Sequence, residues 1–136
     1  MIELTRIDRW LYQRLTGSQL LAGLGIYNTV APPEASMPFV LFAFQSAEAD
    51  VMTIGARRLV VNPLYQIKVI GTGLSLAPLE PYADAIDAAL QAQSGAALDG
   101  YVLACIREQP LVLMEEDAGT IYRHLGGLYR IRFLPQ

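Results

Sequence analysis

Residues 65–93 read YQIKVIGTGLSLAPLEPYADAIDAALQAQ, and within this stretch the spacing of the apolar residues changes. Over residues 65–69, apolar and polar residues alternate, which is typical of a strand with one buried and one solvated face. Over residues 77–93, apolar residues recur at every third or fourth position, which predicts a helix that Gly95 ends. A strand followed by a covering helix therefore stands at the centre of the predicted fold.

On the N-terminal side, two more helices and two more strands are predicted. The helices cover residues 4–15 and 19–24, because Gly17 and Gly25 follow runs of helical spacing. The strands cover residues 26–30 and 39–45, which are rich in aromatic and branched side chains. Two helical pieces thus precede the first strand.

The remaining strands lie around residues 57–72 and in the C-terminal third. Residues 57–61 and 65–72 form strand material with a bulge or bend at Asn62 and Pro63. Further strands are expected at residues 101–108 and 111–115, around Pro110, and at residues 120–134, with a break at Gly126 and Gly127 and a turn at residues 116–119. This order predicts an α+β fold in a single domain over residues 1–136, with a mainly antiparallel sheet of about five strands and two helices packed on one face. The other face is left for a partner.

The composition favours a protein with large contact surfaces. Hydrophobic residues make up 53% of the 136 residues and charged residues only 17%, whereas soluble domains average about 25% charged. No apolar run approaches the roughly 20 residues that a membrane span needs, and the charged N-terminus does not fit a signal peptide. We therefore expect a protein made in a cytosol, with no membrane partner.

The sequence is poor in residues that carry out catalysis. His124 is the single histidine and Cys105 the single cysteine, and neither has a partner at metal-ligand spacing. The acidic residues 115–117 fit a solvated hairpin turn better than a cation site, and residues 71–73 lack the full pattern of a phosphate-binding loop. We expect no enzyme activity, no cofactor and no metal. A net charge of −3 also argues against specific DNA binding.

Two sets of residues are candidates for contacts with other proteins. The first is the weakly patterned segment 46–55, predicted as a mobile loop or arm, with the candidates Glu48, Asp50, Val51, Met52 and Ile54. A solvated strand connection explains this segment equally well. The second set consists of arginines, which are enriched at interfaces, although solvated strand faces explain them equally well: Arg57, Arg58, Arg130 and Arg132.

The segment GIYNTVAP at residues 25–32, followed by Pro38, Phe39 and Val40, resembles a segment of bacteriophage tail completion proteins. These form the tail terminator family of long-tailed phages. The resemblance continues through the leading helix, the strand at residues 65–69, the helix after it and the closing strand. The acidic residues 115–117 and the segment 46–55 do not map onto the family.

The resemblance implies a structural subunit that caps the completed tail tube as a ring, usually a hexamer. Such a ring ends tube polymerisation and provides the surface that joins the head. The implied partners are further copies of the chain, the major tail tube protein and a head completion or neck protein, while genome DNA passes through the lumen without specific binding. The implied location is the tail–neck junction of the virion, after assembly in the host cytoplasm. A head completion or neck adaptor protein is one alternative, and a small-molecule-sensing α+β domain is another.

Overall fold

Four long strands form the centre of one curled sheet in the computed structural model, which describes residues 2–55 and 57–136. The strands are β1 Ile26–Asn28, β2 Phe39–Met52, β3 Arg58–Thr72, β4 Gly95–Ala97, β5 Gly100–Asp117 and β6 Thr120–Pro135. Their order in the sheet is β1-β2-β3-β6-β5-β4, with β1 parallel to β2 and all other neighbours antiparallel. The predicted α+β class and the mainly antiparallel sheet are confirmed in outline.

The helices cover one face of this sheet. They are α1 Ile2–Thr16, α2 Gln19–Ala22 and α3 Glu80–Leu90, and a 3-10 turn at Ala77–Leu79 leads into α3. Ile7, Leu11 and Leu15 of α1 are fully buried against Ile86 and the sheet. Burying each such side chain contributes about 1.5–3 kcal/mol, so this layer accounts for much of the stability.

Two buried tyrosines fix the helices to the middle of the sheet. Tyr65 of β3 donates a hydrogen bond to Asp8 of α1 at 2.6 Å, and Tyr129 of β6 donates to Asp87 of α3 at 2.9 Å. Burial and the adjacent carboxylate raise the pKa of both hydroxyls, so both stay protonated. Each buried hydroxyl therefore has a partner, and each helix is held in register with its strand.

The central helix and the strand count differ from the predictions. α3 ends at Leu90 and not at Gln93, because Gln91 is extended and its N–H already bonds to the carbonyl of Asp87. Gly95 does not end the helix but begins β4, which pairs with β5. This sixth strand was not predicted, because its Gly-Ala-Ala sequence carries no strand pattern.

The strands are longer than predicted, because they continue through the residues that were expected to interrupt them. β3 runs through Asn62 and Pro63, and at these two residues it has no partner in β6. β5 also runs through Pro110, which lies opposite Gly127 of β6. At Gly126 a Cβ atom would lie 2.0 Å from the carbonyl oxygen of Ile67, so glycine there lets β6 and β3 approach closely instead of interrupting the strand.

The face of the sheet opposite the helices is not uniformly exposed to solvent. Lys68 and Arg130, which alternation assigns to a solvated face, are buried, and so is His124. The sheet curls, and Ile70 and Leu128 on the same face are buried as well. The predicted solvated positions for Lys68 and Arg130 are therefore wrong, since a period-two pattern contains no information about curvature.

Candidate functional site

Residues 46–55, predicted as a mobile loop or arm, form the end of β2 and the start of the turn of a hairpin. β2 continues through this segment to Met52 and pairs with the first half of β3, with irregular register around Glu48 and Val51. The turn is closed by a hydrogen bond of 2.8 Å from the N–H of Thr53 to the carbonyl of Arg57. Hydrogen bonding to the antiparallel strand β3 makes this segment a strand, which its weak sequence pattern does not indicate.

The end of this hairpin gathers most of the candidate contact residues. We call Val51, Met52, Ile54, Arg57 and Arg58 the β2–β3 tip. Ile54 is fully exposed, and Val51 and Met52 are about half exposed. Arg57 and Arg58 are both exposed, and Arg58 lies 2.8 Å from Asp50 and 3.7 Å from Glu3. The tip therefore presents apolar side chains beside cationic ones, which suits a protein contact.

Arg130 belongs to a different environment from the tip. Its guanidinium pairs with both carboxylate oxygens of Glu108, at 3.1 and 3.2 Å, and donates to the carbonyl of Asn62 at 2.9 Å. Glu48 adds a weaker contact at 3.6 Å. Arg132 is exposed and reaches the side chain of Asn62 at 3.5 Å. Arg130 thus ties β6 to β5 and β3, while Arg132 stays accessible.

His124 lies in a small polar cluster on the same face. Its Nε2 is 3.2 Å from Glu115, while its Nδ1 is buried without a hydrogen-bond partner in the described part of the chain. Burial and the nearby Lys68 lower the pKa of His124, against a smaller opposing effect of Glu115. The imidazole is therefore neutral near pH 7, with Nε2–H donating to Glu115.

Sequence reasoning missed an exposed stretch in the second half of β5. Val112, Leu113 and Met114 are 56%, 43% and 58% exposed, although they lie in the middle of a regular strand. β4 pairs with β5 only at residues 100–102, so β5 has no outer neighbour at residues 110–117. The signal in the sequence is the consecutive apolar run LVLM at residues 111–114, which does not alternate and so does not indicate a one-sided strand.

The remaining chemistry is sparse among the residues 2–55 and 57–136. Cys105 is fully buried, which raises the pKa of its thiol to about 12 and keeps it unreactive. No group of three or more His, Cys, Asp or Glu residues with metal-binding geometry occurs in these ranges, and no helix there is long and apolar enough to cross a membrane. An open groove of about 560 Å³ runs between α1 and α3, lined mainly by small residues.

A comparison with solved structures finds the same fold in a phage-like particle. The chain is similar to a chain of a structure titled "Virion of native gene transfer agent (GTA) particle", with a TM-score of 0.67 and 20% sequence identity over 91% of both chains. No protein-family model and no curated protein sequence matches the chain. At this identity the similarity establishes a shared fold over nearly the whole length of both chains.

Proposed function

We propose that this chain is a structural protein of a phage-like virion, which caps the completed tail tube as a ring, ends tube polymerisation and provides the surface that joins the head. The observation that carries the proposal is the shared fold over 91% of both chains with a component of a gene transfer agent virion. The resemblance of residues 25–40 to tail terminator proteins supports the narrower role at the end of the tail.

The two ends of the sheet support a subunit with different neighbours at each end. The β2–β3 tip lies at one end, with Arg57 and Arg58 next to exposed apolar residues. The β5–β6 turn lies at the opposite end and carries Glu115, Glu116 and Asp117. One end is therefore largely apolar, with Arg58 paired to Asp50, and the other is acidic, which suits a ring that contacts the tube on one side and the head on the other.

The charge of the chain fits passage of DNA through such a ring. Binding to phosphates needs Lys or Arg side chains, and the chain carries 10 of these against 13 acidic residues. A lumen built from such subunits would hold DNA weakly and let it move. Genome DNA is thus a passing cargo in this proposal, and the chain needs no cofactor and no catalytic group.

Deletion of the gene in its own phage or gene transfer agent tests the proposal. Electron micrographs of the lysate should show tail tubes of uncontrolled length without attached heads, and supplying the intact gene in trans should restore normal particles. Normal virions in the deletion lysate would overturn the proposal.

The same micrographs distinguish the two alternatives. A head completion or neck adaptor protein predicts tails of normal length beside unattached heads. A small-molecule-sensing domain predicts normal particles and a ligand bound in the groove between α1 and α3. The first alternative is favoured over the second, because the fold shared with the virion component extends over 91% of the chain whereas the groove is open and lined mainly by small residues.

A further inference from the structure

Within residues 2–55 and 57–136, both outer edges of the sheet have a long stretch without a neighbouring strand. On one side, β1 pairs with β2 only at residues 40–42, which leaves β2 uncovered at residues 43–52. On the other side, β4 pairs with β5 at residues 100–102, and Gln91 and Ala92 bond to the backbone of Arg107 and Cys105. β5 is left uncovered at residues 110–117. We call these stretches the β2 edge and the β5 edge.

The β5 edge has backbone groups that point away from β6, on the side where no strand lies beside them. Proline lacks an N–H and is tolerated within a strand where its nitrogen faces away from the neighbour, so Pro110 marks a residue whose backbone faces the open side. The alternation of an antiparallel ladder then places the N–H groups of Val112, Met114 and Glu116 on the same side. An extended strand of another chain could pair with these outward-facing N–H groups.

The β5 edge is unprotected at residues 111–114, between Pro110 and the acidic residues 115–117. Natural edge strands prevent further pairing by being short or by carrying charges, proline or bulges, whereas residues 111–114 are all apolar and pair with β6 without a bulge. Val112 and Met114 are more than half exposed. The β2 edge also exposes apolar side chains, because Phe44, Val51 and Met52 are 41%, 46% and 53% exposed, and its register with β3 is irregular over residues 44–52. Mutual pairing would cover both sets of side chains.

The direction of the strands makes a second copy of the chain the matching partner. The pairs β2–β3, β3–β6 and β6–β5 are all antiparallel, so β2 and β5 run in opposite directions. A neighbouring copy in the same orientation therefore presents its β2 edge antiparallel to the β5 edge. The alternation of strand directions continues across the boundary between copies without interruption.

The charges favour this antiparallel arrangement over a parallel one. Aligned antiparallel, the acidic residues 115–117 fall beside the uncharged residues 43–45, and Glu48 and Asp50 fall beside the uncharged residues 110–112. Aligned parallel, the two acidic groups would meet, and like charges opposite each other destabilise a sheet. Electrostatics therefore selects the same direction as the strand topology.

We infer that copies of this chain join edge to edge, the β5 edge of one copy pairing antiparallel with the β2 edge of the next. The contact is heterologous, so it repeats from copy to copy, and the proposed ring forms when the rotation between copies closes after a whole number of subunits. The two edges lie at diagonally opposite corners of the sheet, because β2 is open near the β2–β3 tip and β5 near the β5–β6 turn. Successive copies are thus staggered along their strands, and a stagger of this kind tilts strands in closed barrels. The inference rests on the proposed role as a repeated ring subunit and assigns the surfaces that build the ring.

Disulfide trapping of the purified full-length chain tests the inference. One variant carries Val112→Cys with Ala47→Cys, a second carries Val112→Cys with Glu48→Cys, and a third carries Val112→Cys with Ala49→Cys, so that the register that aligns Val112 with Glu48 and the registers on either side of it are sampled. The native Cys105 is buried and does not interfere. Oxidation at high protein concentration should give a ladder of covalent multimers in at least one variant, running well beyond dimers on a denaturing gel.

The controls separate this inference from the proposed function. Val112→Cys alone can give only dimers, and Val112→Cys with Ala88→Cys on the exposed side of α3 should give no ladder. Monomers or dimers alone in all three double variants would overturn the edge-to-edge contact even if the deletion lysate shows overlong tubes. A ladder together with normal virions in the deletion lysate would leave the contact standing and overturn the tail role.

Discussion

At the scale of single residues, Arg130 shows how far a buried charge can depart from what its sequence pattern indicates. Its neighbours Tyr129 and Ile131 face the helices, so alternation places Arg130 on the opposite face. That position is correct, but the solvation expected there is not, because Glu108 and Asn62 enclose the guanidinium. No spacing rule applied to residue 130 could indicate partners that lie on two other strands.

Removing this arginine should destabilise the fold. Arg130→Ala leaves the carbonyl of Asn62 and the half-exposed Glu108 without their donor, which we expect to lower the free energy of unfolding by about 2 kcal/mol. Urea denaturation measures the difference. Arg132→Ala serves as the matched control and should change the free energy by less than about 0.5 kcal/mol, because Arg132 is exposed and makes one long contact. Equal effects of the two substitutions would contradict this account.

A second prediction at this scale concerns the close approach at Gly126. Gly126→Ala brings a Cβ atom to 2.0 Å from a backbone oxygen of β3, so the strands must separate. We expect a loss of about 3 kcal/mol, or failure to fold. Gly23→Ala is the control, because a Cβ atom there meets nothing within 4 Å and the φ of −80° suits any residue. Thermal unfolding measures the stability of both variants. A Gly126→Ala variant as stable as the native chain would refute the claim of close contact.

The free energy of unfolding should depend on pH through the protonation of His124. Its pKa is lower in the folded chain than in the unfolded chain, chiefly because of burial. Between the two pKa values the unfolded state binds more protons, so stability rises with pH. The stability that neutral His124 contributes is fully present above about pH 6.5, and it is lost as pH falls toward the pKa of His124 in the folded chain. Denaturation curves between pH 7.5 and 5 should show this decline, and His124→Gln should make it shallower; an unchanged slope would count against the neutral buried imidazole.

At the scale of secondary-structure elements, the sequence predicted the boundaries that have local signals. The strand at residue 39 starts as expected because an aromatic run marks it, and the first helix ends within one residue of the expected end because Gly17 follows it. The sequence pattern of residues 46–55 predicts a mobile loop or arm or, equally well, a solvated strand connection, since the strand character of this segment comes from its pairing with β3. Pairing is a property of two segments, and a single-segment pattern cannot contain it.

The open backbone of β5 gives a prediction for the element as a whole. Val112→Pro removes an N–H that faces away from β6, so the monomer should fold with an unchanged circular dichroism spectrum and sedimentation should show loss of multimers. Val112→Thr keeps the N–H and should still form multimers. If Val112→Pro unfolds the chain, the N–H faces β6 and the assignment of the open edge is wrong. If it folds and forms multimers as before, β5 is not the contact.

At the scale of the whole molecule, composition and strand topology support the same account. The excess of apolar over charged residues indicates contact surfaces, and the structure has exposed apolar side chains along both open edges. The sequence predicted the basic and apolar candidates near residues 51–58, whose positions the structure brings together at the β2–β3 tip. It could not predict the β5 edge, because exposure of an apolar run depends on which strands are absent beside it.

Cryo-electron microscopy of the intact particle tests the central claim most directly. The account predicts a single ring of copies of this chain at the head-proximal end of the tail tube, with the β5 edge of each copy paired to the β2 edge of the next. Finding the chain along the tube, within the head or outside the particle, or finding copies whose sheet edges do not touch, would contradict it.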